Sequence, residues 1–545
     1  MFATDLKIIM WIQILLILFV LLGLIYYWLT QNKSYWYDRN VPNTGFKILF
    51  GDDKMFFTQS ESPHDWVLRT YNQFKDVPFF GSWTLFGKPI LMIRNDFDLI
   101  KSIWIKDFDH FAIADSTTQA QSSTWPSSRE EKIVLKHVQT ATGDEWKDIR
   151  STFSPIFTSG KLRMMTPLLW DVNKKMNEYV SKLADSGSIF ETRELTGKYS
   201  IDGIATCAFG VDASSFDEKE SEFLIHAKAV FGPENINMWR FLLSMIVPNA
   251  VKKTAATLGF DKVFSHPFLN KNSKFLLQVV EQSYKNRKQT NVKRNDLLDM
   301  MIDAIEGKLE SEEKADKVDQ YEEDAKIVGH KRKKNLTYDD IMSTALLMLS
   351  AGYDTTGLTM SYILYELAVN QECQEALYDE IKDHSDGSDE LSYETIQALP
   401  YLDAVVHETM RMHPIVFALE RVCSKEYKLP GHDIIIPKGG IVRTLTVGIC
   451  YDPEIFPSPK EFKPERFLKE NRGDRNPYSF MGFSIGPRNC LAMRFAMFEM
   501  KMCIANLVSN FKLLPCEKTV RDVEWDPKNF LGAAKGGLWI KCEKR

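Results

Sequence analysis

The longest apolar stretch of the chain runs from Ile8 to Leu29 without a charged residue, broken in polarity only by Gln13. At 1.5 Å per residue it exceeds the ~30 Å hydrocarbon core of a bilayer, so it predicts a single N-terminal transmembrane helix. Between residues 140 and 410 apolar positions recur at helical spacing. Within that region Thr337-Tyr338-Asp339-Asp340 reads as a capping box with Asp in place of Glu or Gln, opening an apolar segment that reaches Asn370 without a proline. Short β-like pieces, Trp83 to Phe86 and Pro89 to Ile93, are punctuated by Gly81 and Gly87, and a second group surrounds Ile434 to Gly440. Near the C-terminus, Ala492, Phe495, Ala496, Met500, Cys503 and Leu507 predict a helix over Leu491 to Phe511. Gly532 to Gly537 predicts a hairpin turn before Leu538-Trp539-Ile540. Together these elements predict a mainly α fold with a small β region.

The flanks of the apolar run orient it. Tyr26, Tyr27, Trp28, Tyr35, Trp36 and Tyr37 cluster at its far end, where amphipathic rings prefer the membrane interface. Lys33, Arg39, Lys47 and Lys54 follow it, against Lys7 before it, which places the body on the cytoplasmic side by the positive-inside rule. The run is too long for the h-region of a cleaved signal peptide, and no small-residue cleavage site follows. Residues 1–32 are therefore read as a membrane anchor and 33–545 as one large domain. The net charge of −5 is spread with mixed signs and gives no reason to expect nucleic acid as a partner. Eight cysteines show no C-x-x-C pair and no zinc spacing, a reduced, cytosol-facing usage. Ser116 to Arg129 and the charge-dense connector Glu306 to Lys334, ending in Lys331-Arg332-Lys333-Lys334, read as mobile surface, and Phe241 to Val251 as core or a channel loop.

Candidate chemistry centres on Phe483-Ser484-Ile485-Gly486-Pro487-Arg488-Asn489-Cys490. Cys490 lies just before a predicted helix, where the dipole and free N–H groups favour a thiolate. Gly486 and Pro487 suit a tight turn that lets backbone approach sulfur and a planar cofactor. Upstream, Trp146 and Arg150 are four apart and share a helix face, offering donors to a carboxylate. Ala351-Gly352-Tyr353-Asp354-Thr355-Thr356 sits inside the long apolar helix, where Thr355 can bond back to the Ala351 carbonyl and bend it locally, beside the Asp354 carboxylate. Glu408 and Arg411 put opposite charges three apart in an apolar setting, with Arg466 of the Pro464-Glu465-Arg466-Phe467 segment as a third member.

This ordered set resembles the cytochrome P-450 family, the haem-thiolate monooxygenases, from about residue 40 to residue 545, and most closely its microsomal drug-metabolising group. Leu419-Glu420-Arg421-Val422-Cys423, Gly486 to Cys490 and Phe157-Thr158-Ser159-Gly160-Lys161 carry the finer likeness. The resemblance implies the cytochrome P-450 fold, haem b (iron protoporphyrin IX) ligated by Cys490, and Phe483 against the cofactor. It implies propionate contacts from Trp146, Arg150, Arg421 and Arg488, proton delivery by Asp354 and Thr355, and a structural network of Glu408, Arg411 and Arg466. Ala351 and Val416 are expected to line the substrate space. The implied activity inserts one atom of O2 into a lipophilic small molecule with electrons from NADPH through a flavoprotein reductase, or with cytochrome b5 as a second donor, at the endoplasmic reticulum membrane. The reductase is expected on the Cys490 side, over Lys147, Lys161, Arg163, Arg472 and Arg475. An isomerase or dehydratase working without reductase, a non-catalytic haem protein and a haem-free membrane protein are the competing readings. Ser484 and Ala492 depart from the family pattern, since glycine is typical at both, and the proline-rich hinge after the anchor is reduced to Pro42-Asn43-Thr44-Gly45.

Overall fold

The structure is a computed structural model and describes residues 2–115, 128–217, 219–231, 247, 249–258, 271–290, 292–309, 323–327, 330, 336–385, 387–388 and 390–545. The basic tetrad Lys331 to Lys334, most of Ser116 to Arg129, and Phe241 to Met245 lie outside the described residues.

Helix α1, Phe2–Thr30, contains the span Ile8–Thr30, long and apolar enough to cross a membrane and not buried against the body. Its apolar character on every side follows from the absence of a polar stripe, as expected of a lipid-facing helix. Helix α2, Pro63–Gln73, starts with Ser62 accepting from the Asp65 N–H and proline in the first turn. The helical body is built from α3 (Gly143–Phe153), α4 (Ser159–Ser186), α5 (Thr192–Phe209), α6 (Tyr338–Val369), α7 (Pro400–Met412) and α8 (Met493–Asn510). The predicted capping box opens α6: Asp340 accepts from the Thr337 N–H at 2.7 Å. Helix α6 is largely buried, packing along α5 and also meeting α7 and α8. Expected from Leu491, α8 begins two residues later, because Leu491 and Ala492 still belong to the turn that leaves Cys490.

The strands are β1 (Phe79–Thr84), β2 (Lys88–Ile93), β3 (Phe190–Glu191), β4 (Leu419–Val422), β5 (Tyr427–Lys428), β6 (Ile435–Ile436), β7 (Ile441–Thr444), β8 (Phe511–Pro515) and β9 (Trp539–Lys544). The main sheet has the order β1-β2-β7-β4, with β2 parallel to β7 and the other neighbours antiparallel. A second sheet has the order β3-β9-β8, and β5 pairs with β6. The expected strand Trp83 to Phe86 stops at Thr84, because Leu85–Gly87 turn the chain with Phe86 at a φ of 61°. Within the glycine-rich segment before Trp539 a turn is closed by the Gly537 N–H donating to Ala534 O at 3.3 Å, and Ala534 bridges to Trp525. Its strand partners lie elsewhere, since β9 pairs with β8 and β3.

Two large hydrophobic cores result, one among the helices and one around the main sheet. The Cys490 loop lies on the seam: Ile485 is buried in the sheet core, whereas Phe483, Leu491 and Ala492 pack on the helical core.

Candidate active site

The loop from Phe483 to Cys490 is closed by its own backbone. The Cys490 N–H donates to Phe483 O at 2.9 Å, and the Asn489 N–H donates to Gly486 O at 2.9 Å. Gly486 has a φ of 73°, and a Cβ there would lie 2.1 Å from the Trp104 carbonyl oxygen, so no side chain fits. Cys490 itself is exposed at the end of the loop. Burial raises its thiol, opposed by the Ala492 backbone N–H and the Arg150 guanidinium. The helix-start argument thus supplies one of the opposing contributions, while burial is the larger effect.

Three guanidinium groups gather beside this loop. Arg150 of α3 donates to Asn489 O at 2.7 Å and to Asn489 Oδ1 at 2.5 Å, gripping the residue before the cysteine. Arg488 donates to the carbonyls of Ala112, Val138, Gln139 and Ala141, with its Cζ 4.3 Å from the Trp146 ring centroid. Arg421 of β4 donates through Nη1 to Ala114 O and Glu420 O, but its Nε and Nη2 are buried without a partner. Burial lowers all three, Arg150 and Arg421 to about 10 and Arg488 to about 9; Arg421 and then Arg150 push Arg488 further down, while Asp115 acts in the opposite sense. Among the described residues the three hydrogen-bond mainly to main-chain carbonyls and form no carboxylate ion pair within 4.0 Å, so this cluster of positive charge fits an anionic cofactor. The two propionates of haem suit it, with Arg421 offering free donors and Arg488 already engaged by carbonyls. Phe483, half-buried, completes the loop's apolar side.

The turn Ala351 to Thr356 stays within the unbroken helix α6. The expected back-bond is present, Thr355 Oγ1 donating to Ala351 O at 2.6 Å. Asp354 is turned to a neighbour: its Oδ1 accepts from Arg193 Nη2 of α5 at 2.6 Å. Ala351 is exposed although α6 is buried on both sides of this turn, and Val416 is 42% exposed beside buried Phe417, giving each an open face. Glu408, Arg411 and Arg466 come together as their spacing suggests. Arg411 donates to both Glu408 oxygens at 2.8 Å and also to the Cys450 and Pro459 carbonyls, and Arg466 Nε reaches Glu408 at 3.2 Å. The basic group is less uniform. Lys147 pairs with Asp109, Arg163 with Glu394, and Arg475 lies over Phe456 and Phe467.

Sequence spacing missed Trp104, Asn489 and Arg193. Trp104 carries no motif, and its contact with Gly486 joins positions far apart in the chain. Arg193 lies in the first turn of α5, with nothing nearby in sequence to link it to Asp354.

The fold and the site centred on Cys490 fit a haem-thiolate protein. The family model for cytochrome P-450 matches residues 78–539. The probable cytochrome P-450 6w1 of Drosophila melanogaster is 31% identical over 546 residues, covering 98% of this chain and 98% of that protein. Cytochrome P-450 6B1 of Papilio polyxenes is 31% identical over 539 residues, 98% of this chain and 100% of that protein. Cytochrome P-450 6B7 of Helicoverpa armigera is 30% identical over 539 residues, 98% and 99% respectively. The chain belongs to the cytochrome P-450 family and is a monooxygenase that works with haem iron.

Proposed function

We propose that this monooxygenase inserts one oxygen atom of O2 into a lipophilic small molecule, drawing electrons from NADPH through a flavoprotein reductase, with cytochrome b5 as a second donor. Residues 1–32 anchor it in the endoplasmic reticulum membrane, and residues 33–545 form one catalytic domain facing the cytosol. The observation that carries this reading is Cys490, at the end of a loop on the seam of two cores with Arg150, Arg421 and Arg488 beside that loop. Haem, when bound, would supply the activation of dioxygen, with a cysteine ligand favouring it.

The residues do the rest. Cys490 Sγ would hold the iron, Trp146, Arg150, Arg421 and Arg488 would hold the propionates, and Phe483 would pack against the cofactor. Thr355 Oγ1 and the Asp354 carboxylate would hold and pass protons, with Arg193 orienting Asp354. Ala351 and Val416 present apolar surface to the substrate and exclude water. Glu408, Arg411 and Arg466 set the segment leading to the cysteine loop. The reductase docks on the Cys490 side over Lys147, Lys161, Arg163, Arg472 and Arg475, where the exposed ion pairs are weak enough to open.

The presence of both Asp354 and Thr355 favours oxygen activation over rearrangement of a peroxide, which needs no delivered protons. The test is turnover of a lipophilic library by the full-length protein. Products that need NADPH, reductase and O2 together are expected; conversion of lipid hydroperoxides without reductase would overturn the reading. A dithionite-reduced, carbon-monoxide-treated sample should give the red-shifted Soret band of thiolate ligation, and Cys490→Ala should lose it.

A further inference from the structure

Val416 stands in the segment that leaves α7 for β4, and this segment has a packed back and an open front. Phe417 is 7% exposed, with its ring centroid 6.0 Å from that of His64 in α2, whereas Val416 beside it is 42% exposed. The residues from His413 to Val416 precede β4 and belong to no strand, so their buried carbonyls need partners from side chains. Three side chains hold the stretch. The Tyr451 hydroxyl donates to Met412 O at 2.7 Å, His64 Nε2 to Pro414 O at 2.8 Å and the Thr446 hydroxyl to Val416 O at 3.2 Å.

His64 holds the residue with the fewest alternatives. Proline has no N–H, so its carbonyl is the one backbone group by which Pro414 can be hydrogen-bonded. A carbonyl only accepts, which puts the imidazole hydrogen on Nε2. The ring is fully buried, and its place is shaped by its neighbours. A Cβ at Gly532 would lie 2.5 Å from His64 Nε2, so only glycine leaves room there, and the Trp525 ring lies 5.2 Å away, centroid to centroid. Gly532 is itself fixed, its carbonyl accepting from the Tyr362 hydroxyl of α6 at 2.7 Å. One imidazole thus joins the back of the Val416 segment to a turn held on the central helix. The same helix also reaches the segment directly, Glu366 Oε1 lying 2.6 Å from His413 Nε2.

We propose that His64 is a positioning residue for substrate: its Nε2–H fixes the Pro414 carbonyl and thereby, together with Thr446 on the next carbonyl but one, the place of the Val416 side chain. Its effect is on the shape of the substrate space and not on the iron. A ligand too small to reach Val416 does not sense it, and a longer one does. The inference rests on Val416 lining the substrate space, as given above.

The test uses full-length, haem-loaded protein titrated with imidazole and with 4-phenylimidazole. Both bind iron through nitrogen, and only the second carries an aryl group into the space beyond. Variants are His64→Phe, which keeps a ring and removes the donor, His64→Gln, which keeps a donor, and Thr446→Val, which removes the partner of the Val416 carbonyl. The 4-phenylimidazole dissociation constant should rise roughly fivefold in His64→Phe and in Thr446→Val, the scale of losing one methylene-sized apolar contact, while that of imidazole stays within about twofold of wild type. His64→Gln should bring the 4-phenylimidazole constant back to within about twofold of wild type, a recovery that general loss of packing would not give. Val416→Ala should raise it at least as far as His64→Phe. If Val416→Ala raises it and the ratio of the two constants is unchanged in His64→Phe, the proposal is overturned; equal weakening of both ligands in His64→Phe overturns it too. Should His64→Phe not retain haem, Thr446→Val decides by the same two outcomes. An unchanged constant in Val416→Ala would instead overturn the reading of Val416 and the inference with it, so the two failures are distinct.

Discussion

Ser484 has a φ of 62° and a hydroxyl buried without a partner, in the loop that presents Cys490. A non-glycine residue in the left-handed region is destabilised by about 1–2 kcal/mol through contact of its Cβ with the following carbonyl. Ser484→Gly is therefore expected to stabilise the haem-loaded protein by about 1 kcal/mol in urea unfolding. The other departure, Ala492, has a φ of −98° and carries no such strain. The two unusual residues are thus unlike in consequence, a distinction that depends on backbone angles and is not visible in the motif. Arg421 is the second residue with a sharp expectation. On the proposed function its unpartnered Nε and Nη2 are donors for a propionate, so Arg421→Ala should weaken haem retention by about 2 kcal/mol, measured as haem bound per protein after dialysis.

Elements are held together by buried polar groups whose protons report on stability. His64 of α2 is hydrogen-bonded through Nε2 to Pro414 O, just beyond α7, at 2.8 Å. Burial lowers it from 6.5 to about 4, with the Pro414 and Ile415 backbone opposing. Asp53, in the turn that lies against β1, is raised by burial from 3.8 to about 6, with Arg443 opposing. The signs differ. The unfolded chain binds the His64 proton more tightly, so this group destabilises the fold as pH falls from 6.5 toward 4. The folded chain binds the Asp53 proton more tightly, so this group destabilises the fold as pH rises from about 4 to about 6. The two slopes oppose each other over most of that interval. Relative to wild type, Asp53→Asn should lose stability on acidification through it, and His64→Gln should lose stability as pH is raised through it, both read by urea unfolding at a series of pH values.

At the same scale the helices were more legible than the strands. Helix α6 carries a capping box, a long apolar run and a terminal Asn, all local signals, and its ends agree with them. The segment Trp83 to Phe86 has strand composition, but Phe86 turns out of the sheet at positive φ, a conformation that tertiary contacts impose. Likewise Asp354 and Thr355 were identifiable as an acid–hydroxyl pair, whereas the ion pair to Arg193 joins residues 161 apart in sequence.

For the whole molecule, the chain just after helix α1 is sewn to the β1–β2 hairpin of the main sheet and to β6. Trp83 Nε1 donates to Asn32 O, Asn32 Nδ2 to Gly87 O, Trp36 Nε1 to Ser82 O and Tyr35 hydroxyl to Ile435 O. Trp36 is 2% exposed and lies flat on Gly81, which had read only as punctuation between strands. The short hinge is also tied down, with Asn43 bridging Gly81 and Thr44 donating to Asp52. Structural continuity therefore runs past the boundary at residue 32. Trp36→Ala should destabilise the body by about 3–5 kcal/mol in denaturant unfolding, whereas deleting residues 1–27 should change it little.

The sequence by itself determined the membrane-length apolar helix, the helical body and the capped central helix, and it singled out the cysteine, tryptophan, arginine and threonine positions proposed for the site. Each of those signals lies within one stretch of chain, where period, capping and motif spacing act. Only the tertiary structure decided which groups meet across stretches: Arg193 with Asp354, Gly486 beneath Trp104, three guanidiniums around one loop, His64 with Pro414 and Gly532. Such meetings depend on how helices and sheet pack to bury their apolar faces, and no local pattern encodes that distance.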